Sequence, residues 1–181
     1  MADRICVLYV DDESTLLEIG KIFLERSGQF SVDIITSAPD ALTLLNTKTY
    51  DAIIADYQMP GMDGIEFLKT VRSSGNTIPF ILFTGRGREE IVIQALNEGA
   101  DFYLQKGGEP VSQFTELSHK IKIAVERKRA VNALKQDEYR LNMLVTFYQD
   151  DFQTLKRTDG LCSRTGSENH FKLNRISRFC F

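Results

Sequence analysis

Five side chains of this sequence could share one piece of chemistry: the acidic pair Asp11-Asp12, then Asp56, Thr84 and Lys106. Each stands at the end of a short apolar run. Brought into one small volume, the three carboxylates repel one another. Such a cluster either raises its pKa values or binds a cation, and hard oxygen ligands with room for water suit Mg²⁺. With Mg²⁺ held there, a carboxylate oxygen of Asp56 could attack a phosphoryl group and give an aspartyl-phosphate adduct. The Lys106 ammonium and the Thr84 hydroxyl would contact the phosphoryl oxygens. Taken singly these residues say little, since an Asp after a strand commonly caps a turn or helix, as Asp63 is expected to, and a lone loop lysine is solvated. Their joint occurrence at successive apolar runs is what points to a site.

The elements that must position them follow from periodicity. Residues 5–10 form a continuous apolar run, as a strand buried on both faces reads. From about 14 to 27 apolar residues recur at Leu16, Ile19 and Phe23, with Gly28 as a stop, which predicts a helix. The cycle repeats: strands near 32–35, 52–55, 80–83 and 101–104 alternate with helices over about 38–47, 64–73, 88–98 and from 111 onward. Five strand–helix units imply an α/β fold, a doubly wound parallel sheet with right-handed crossovers and helices on both faces. In such sheets ligands bind beyond the carboxyl ends of the strands, where the strand order reverses. The first and third strands are then neighbours, about 4.8 Å apart, and Asp11, Asp12 and Asp56 can meet.

Composition narrows the function classes. The 181 residues suit one domain of ordinary size plus an appendage, with 43% hydrophobic residues for a core. Residues 1–150 carry 22 acidic against 16 basic side chains, whereas 151–181 carry 3 against 6. The main body lacks the basic patch that nucleic-acid binding needs. No stretch reaches the roughly 18 apolar residues of a membrane span, and the start does not read as a signal peptide. The three cysteines, Cys6, Cys162 and Cys180, have no metal-ligand spacing, and a reducing cytoplasm fits them. Cys6, inside the first apolar run, reads as a buried structural thiol.

The runs Val-Leu-Tyr-Val-Asp11-Asp12-Glu13, Ala55-Asp56-Tyr-Gln58-Met-Pro60-Gly-Met-Asp63-Gly64, Ile-Leu-Phe-Thr84-Gly85 and Gly99-Ala100-Asp101-Phe-Tyr103-Leu-Gln-Lys106 resemble the receiver domain of response regulators in two-component signalling. The resemblance covers residues 4–126. It implies a flavodoxin-like five-stranded sheet of order 2-1-3-4-5, and Asp56 as phosphoacceptor from the phosphohistidine of a sensor histidine kinase. It further implies Asp11, Asp12, Asp56 and the backbone carbonyl of Gln58 as Mg²⁺ ligands, Thr84 and Lys106 as phosphoryl partners, and Tyr103 as an aromatic switch. Thr84 and Tyr103 would reshape the face made by helix four, strand five and helix five, through which a downstream protein binds; a homodimer is the further assembly expected. The only chemistry expected is on the chain itself, so it is not an enzyme in the ordinary sense. Two features depart from the common pattern. Gly107-Gly108 follows Lys106 where many members carry Pro, implying a freer loop. The basic Gly85-Arg86-Gly87 resembles receivers of archaeal multidomain sensor proteins, and it lacks the ending of a P-loop. Gln58 and Arg86 occupy positions that influence phosphoryl lifetime in the family.

Beyond the last unit, Phe114, Leu117, Ile121 and Ala124 mark one helical face, and the helix is expected to overshoot the domain. Residues 127–149 read as a helical linker, and 150–181 as a disordered or truncated remnant of a longer protein. His119 and His170 read as surface residues. Two other functions compete with the receiver reading. A haloacid-dehalogenase-like phosphatase also uses an Asp nucleophile with Mg²⁺, but it needs a second Asp two residues on, where Gln58 stands. A pseudoreceiver acting as a dimerisation or scaffold module would not need phosphorylation, and the intact set of five residues speaks against it.

Overall fold

The computed structural model describes residues 4–85 and 89–162, with side chains as far as residue 149. Ten elements alternate: β1 Ile5–Val10, α1 Ser14–Glu25, β2 Phe30–Ile35, α2 Ala38–Leu45, β3 Ala52–Ala55, α3 Gly64–Ser73, β4 Phe80–Thr84, α4 Glu89–Asn97, β5 Phe102–Gln105 and α5 Pro110–Cys162. The strands form one parallel sheet of order β2-β1-β3-β4-β5. This is the doubly wound sheet expected from the alternation, in the order the resemblance implies, with strand bounds shifted by up to two residues.

Side-chain alternation along the strands divides the core in two. Leu8 and Val10 of β1, with Ile53, Ala55, Phe80 and Leu82, pack against Phe67, Leu68 and Val71 of α3 and Ala41 of α2. Val7 and Tyr9, with Ile54, Ile81 and Phe83, pack against Leu17 and Leu24 of α1 and Phe114, Leu117 and Ile121 of α5. Strands covered on both faces have no polar alternation, which is why they read as continuous apolar runs. Cys6 is free and half-buried rather than enclosed, because it stands near the open start of β1.

Local chemistry sets the helix starts. Asp63 forms a full capping box: its carboxylate accepts from the Ile65 and Glu66 amides, each at 2.8 Å, while Glu66 accepts from the Asp63 amide. At the far end, α5 continues without a break to Cys162. Residues 111–159 contain neither Pro nor Gly, so nothing in the chain interrupts it. The helix thus runs through the start of the segment expected from residue 150 to be a disordered or truncated remnant; residues 163–181 lie outside the described residues. The chain divides into two units, Met1–Asn132 and Ala133–Phe181. No described helix is long and apolar enough to cross a membrane.

Candidate functional site

The parallel register of β1 and β3 pairs Val10 with Ala55, so the next residue on each strand, Asp11 and Asp56, emerges side by side. The Asp56 amide donates to the Val10 carbonyl at 2.9 Å and fixes that adjacency. One oxygen from each of Asp11, Asp12 and Asp56 lies within 4.8 Å of the others. Asp11 is fully buried and Asp56 nearly so, while Asp12 is exposed at the rim. From β5, Lys106 reaches across: its ammonium lies 2.6 Å from Asp11 Oδ2 and 2.9 Å from Asp56 Oδ1. The Lys106 amide donates to the Thr84 carbonyl at 2.8 Å, which holds that loop against the end of β4. Thr84 closes β4 and is buried at the same edge.

Electrostatics follow from this crowding. Burial pushes the Asp11 carboxyl above the ordinary carboxylate range; its hydrogen bond with Lys106 works against that push without cancelling it. The Lys106 ammonium also lies 5.9 Å from the centre of the Phe83 ring. Backbone donors complete the frame. The Glu13 amide binds Asp11 Oδ1 at 3.1 Å and the Gln58 amide binds Asp56 Oδ2 at 2.8 Å. Gln58 therefore meets the site through its main chain, while its side chain is exposed. A cavity of about 520 Å³, lined by Asp12, Tyr57, Gln58, Met59, Pro60 and Asp63, adjoins the carboxylates.

The donor set fits a hard divalent cation: three converging carboxylates, one of them at the rim, with one positive side chain already drawn between the two buried ones. Tyr103 stands apart from this cluster, within β5. Its ring packs on the core shared with α2 and α3, and its hydroxyl is enclosed with no hydrogen-bond partner among the described residues. Burial, and secondarily the Asp56 charge, pushes that hydroxyl's pKa upward. Gly107 and Gly108 take φ values of +143° and +86°, which only glycine adopts readily, so the loop after Lys106 turns where Pro could not. Arg86 and its proposed influence on lifetime lie outside the described residues.

Three contributors escaped sequence reading. Gly64 opens α3 directly on the Asp56 main chain, where a Cβ would lie 2.2 Å from the Asp56 carbonyl oxygen. Its presence after an N-cap Asp was the available signal. Phe83, beneath Lys106, and Tyr9, below Asp11, read only as apolar strand residues, because a strand pattern does not tell a core ring from a site ring.

Comparison with known proteins agrees with this geometry. Residues 7–122 match the family model described as response regulator receiver domain. "Response regulator Rre1" of Synechocystis is 36% identical over 112 residues, covering 61% of this chain and 48% of that protein. "Transcriptional regulatory protein ResD" of Bacillus subtilis is 29% identical over 139 residues, covering 77% and 55%. The chain thus spans about half the length of the curated relatives it matches. A Francisella receiver domain superposes with a TM-score of 0.63 at 30% identity, covering 69% of this chain and 99% of that one. A receiver-domain protein from Clostridium thermocellum gives 0.63 at 31%, covering 70% and 98%. The expected kinship with archaeal multidomain sensors finds no support here: these curated relatives are bacterial. The Gly85-Arg86-Gly87 signal behind it is three residues long, too little sequence to mark a lineage.

Proposed function

This chain belongs to the response regulator receiver domain family, and from that premise we propose that it accepts a phosphoryl group on Asp56 from the phosphohistidine of a sensor histidine kinase. The observation that carries the reading is the convergence of Asp11, Asp12 and Asp56, with Lys106, 95 residues beyond Asp11, bridging Asp11 and Asp56. In the step, an Asp56 carboxylate oxygen forms a bond to phosphorus as the phosphorus–nitrogen bond to the kinase's imidazole breaks. The Lys106 ammonium is close enough to turn from the carboxylates to the phosphoryl oxygens, and the Thr84 hydroxyl is proposed to bind another of them. Asp11, Asp12, Asp56 and the Gln58 carbonyl would hold Mg²⁺. Bound there, the metal would offset negative charge on the attacking and transferring oxygens.

Receiver domains are signalling modules, and the chemistry proposed is confined to this chain: acceptance of the group and its later loss to water. The signal would leave through the face of α4, β5 and α5, with Thr84 and Tyr103 as the switch pair. Exposed Ile93 and Leu96 on α4 supply apolar surface for a downstream protein or a second copy of the chain. We assign residues 4–126 to the receiver, 127–149 to a helical linker and 150–181 to an appended segment, in a cytoplasmic protein that does not itself bind nucleic acid.

Intact-mass measurement after incubation with acetyl phosphate and Mg²⁺, on wild type and Asp56→Ala, tests the proposal. A phosphoryl adduct in wild type that is lost in the variant and on adding EDTA is the expected result. A folded wild type that takes neither phosphoryl group nor beryllofluoride would leave the scaffold reading in its place.

A further inference from the structure

Tyr9 is an unusual occupant of its position. It is fully buried in β1, yet its hydroxyl has no hydrogen-bond partner among the described residues. Burying a hydroxyl without a partner is unfavourable, so a chain that needed only apolar filling would place Phe, Leu or Val there. The surroundings have also been shaped to admit this ring. Gly20 lies in the interior of α1, where glycine is a poor helix former, and a Cβ on it would stand 2.6 Å from Tyr9 Cε1 and 3.0 Å from Phe114 Cε1. The ring is further set against Phe83, at 6.4 Å between centres. Tyr9 and Asp11 stand two residues apart at the end of β1, so both side chains leave the same face of the sheet. After burial itself the Asp11 and Asp56 charges bear on the hydroxyl, and Asp11 also approaches it as an acceptor without a formed hydrogen bond in this structure.

We propose that Tyr9 is a positioning residue, its hydroxyl donating a hydrogen bond to Asp11 when Lys106 leaves that carboxylate. This rests on the receiver reading above. In the structure Asp11 is held by the Glu13 amide on one oxygen and by Lys106 on the other. Lys106 cannot keep its place between Asp11 and Asp56 once a metal cation shares those carboxylates, and it is then drawn to the phosphoryl oxygens. Asp11, fully buried, loses one of its two tethers at the moment its orientation matters most. A donor from below the sheet edge replaces that tether without competing for the outward-facing lone pairs, as outer partners of metal ligands do.

The test compares wild type with Tyr9→Phe, which keeps the ring and its packing. Calorimetric titration with MgCl₂ reads the metal affinity, thermal unfolding without metal reads the fold, and intact mass reads the extent of acetyl-phosphate labelling at saturating Mg²⁺. Expected is an affinity for Mg²⁺ about tenfold weaker, the lower end for loss of an outer partner, with metal-free stability equal or higher and labelling at saturation unchanged. Affinity within twofold of wild type overturns the assignment, and so does a Tyr9→Phe protein that unfolds earlier without metal, since the hydroxyl would then serve the fold. A wild type that binds no Mg²⁺ overturns the receiver reading itself, so the two failures are told apart.

Discussion

At the scale of single residues, the site is a balance of charges held in place by one lysine. Lys106 is the only cation shown within salt-bridge distance of Asp11 and Asp56 among the described residues. Lys106→Ala would leave two carboxylates side by side at a buried edge, and breaking a buried pair from one side costs about 3–5 kcal/mol. Urea unfolding of that variant without metal should show a loss of this size, narrowing when MgCl₂ is added; equal losses in both conditions would mean that no cation takes over the role of Lys106. A second charged group, remote from the site, sets part of the acid response. Asp33 accepts from Lys48 and from the Tyr50 hydroxyl, the latter at 2.5 Å. Burial alone would raise its pKa, but these hydrogen bonds outweigh burial and bring it below the ordinary 3.8. A lowered carboxylate contributes stability that is complete above its ordinary value and is lost as pH falls through the lowered one. Because Asp33 is about one-third exposed, at 35%, the contribution is under about 1 kcal/mol. Asp33→Asn should therefore be less stable at neutral pH and show a shallower decline below about pH 4, as measured by urea midpoints across the acid range.

At the scale of elements, the site depends on how helices begin. The start of α3 serves both the helix and Asp56. Removing the cap with Asp63→Ala should cost about 1 kcal/mol and leave Asp56 in place, visible as an unchanged extent of acetyl-phosphate labelling at saturating Mg²⁺. Gly64→Ala is a different perturbation, because its methyl would meet the Asp56 carbonyl at 2.2 Å and Leu82 Cδ1 at 2.8 Å. Overpacking of this kind costs about 1–3 kcal/mol, and relief requires either α3 or the Asp56 loop to shift. We expect Gly64→Ala to weaken Mg²⁺ binding as well as stability, whereas Asp63→Ala weakens stability alone. Calorimetry on both variants separates the helix from the site.

At the scale of the whole molecule, the first compact unit, Met1–Asn132, contains the complete sheet and the part of α5 that packs on it. Phe114, Leu117, Ile121 and Val125 lie within it, and Arg129 closes the last contact by donating to Asp51 at 2.9 Å. Nothing beyond Asn132 is needed for these contacts. A fragment of residues 1–132 should unfold within about 4 °C of the full chain, the shift that corresponds to less than about 1 kcal/mol in a domain of this size, and should retain Asp56 labelling. Failure of the fragment to fold would move the domain boundary past residue 132, well into the linker.

Much of this is legible in the amino-acid sequence alone. Buried parallel strands announce themselves as unbroken apolar runs and amphipathic helices by their spacing; the alternation of the two dictates a doubly wound parallel sheet and the edge where Asp11, Asp56, Thr84 and Lys106 emerge, while the strand order came from the resemblance to receiver domains. Asp63 as cap was readable for the same reason: it is a local interaction over three residues. What only the tertiary structure decided are distances between segments that are far apart in sequence. That Lys106 bridges Asp11 and Asp56, that α3 starts so near the Asp56 carbonyl that a Cβ at position 64 would overlap it, and that the Tyr9 ring takes the space a Cβ on Gly20 would need all depend on how helices settle on the sheet. Periodicity records which face of an element is apolar and carries no information about which atom on that face meets which atom opposite; packing alone supplies it.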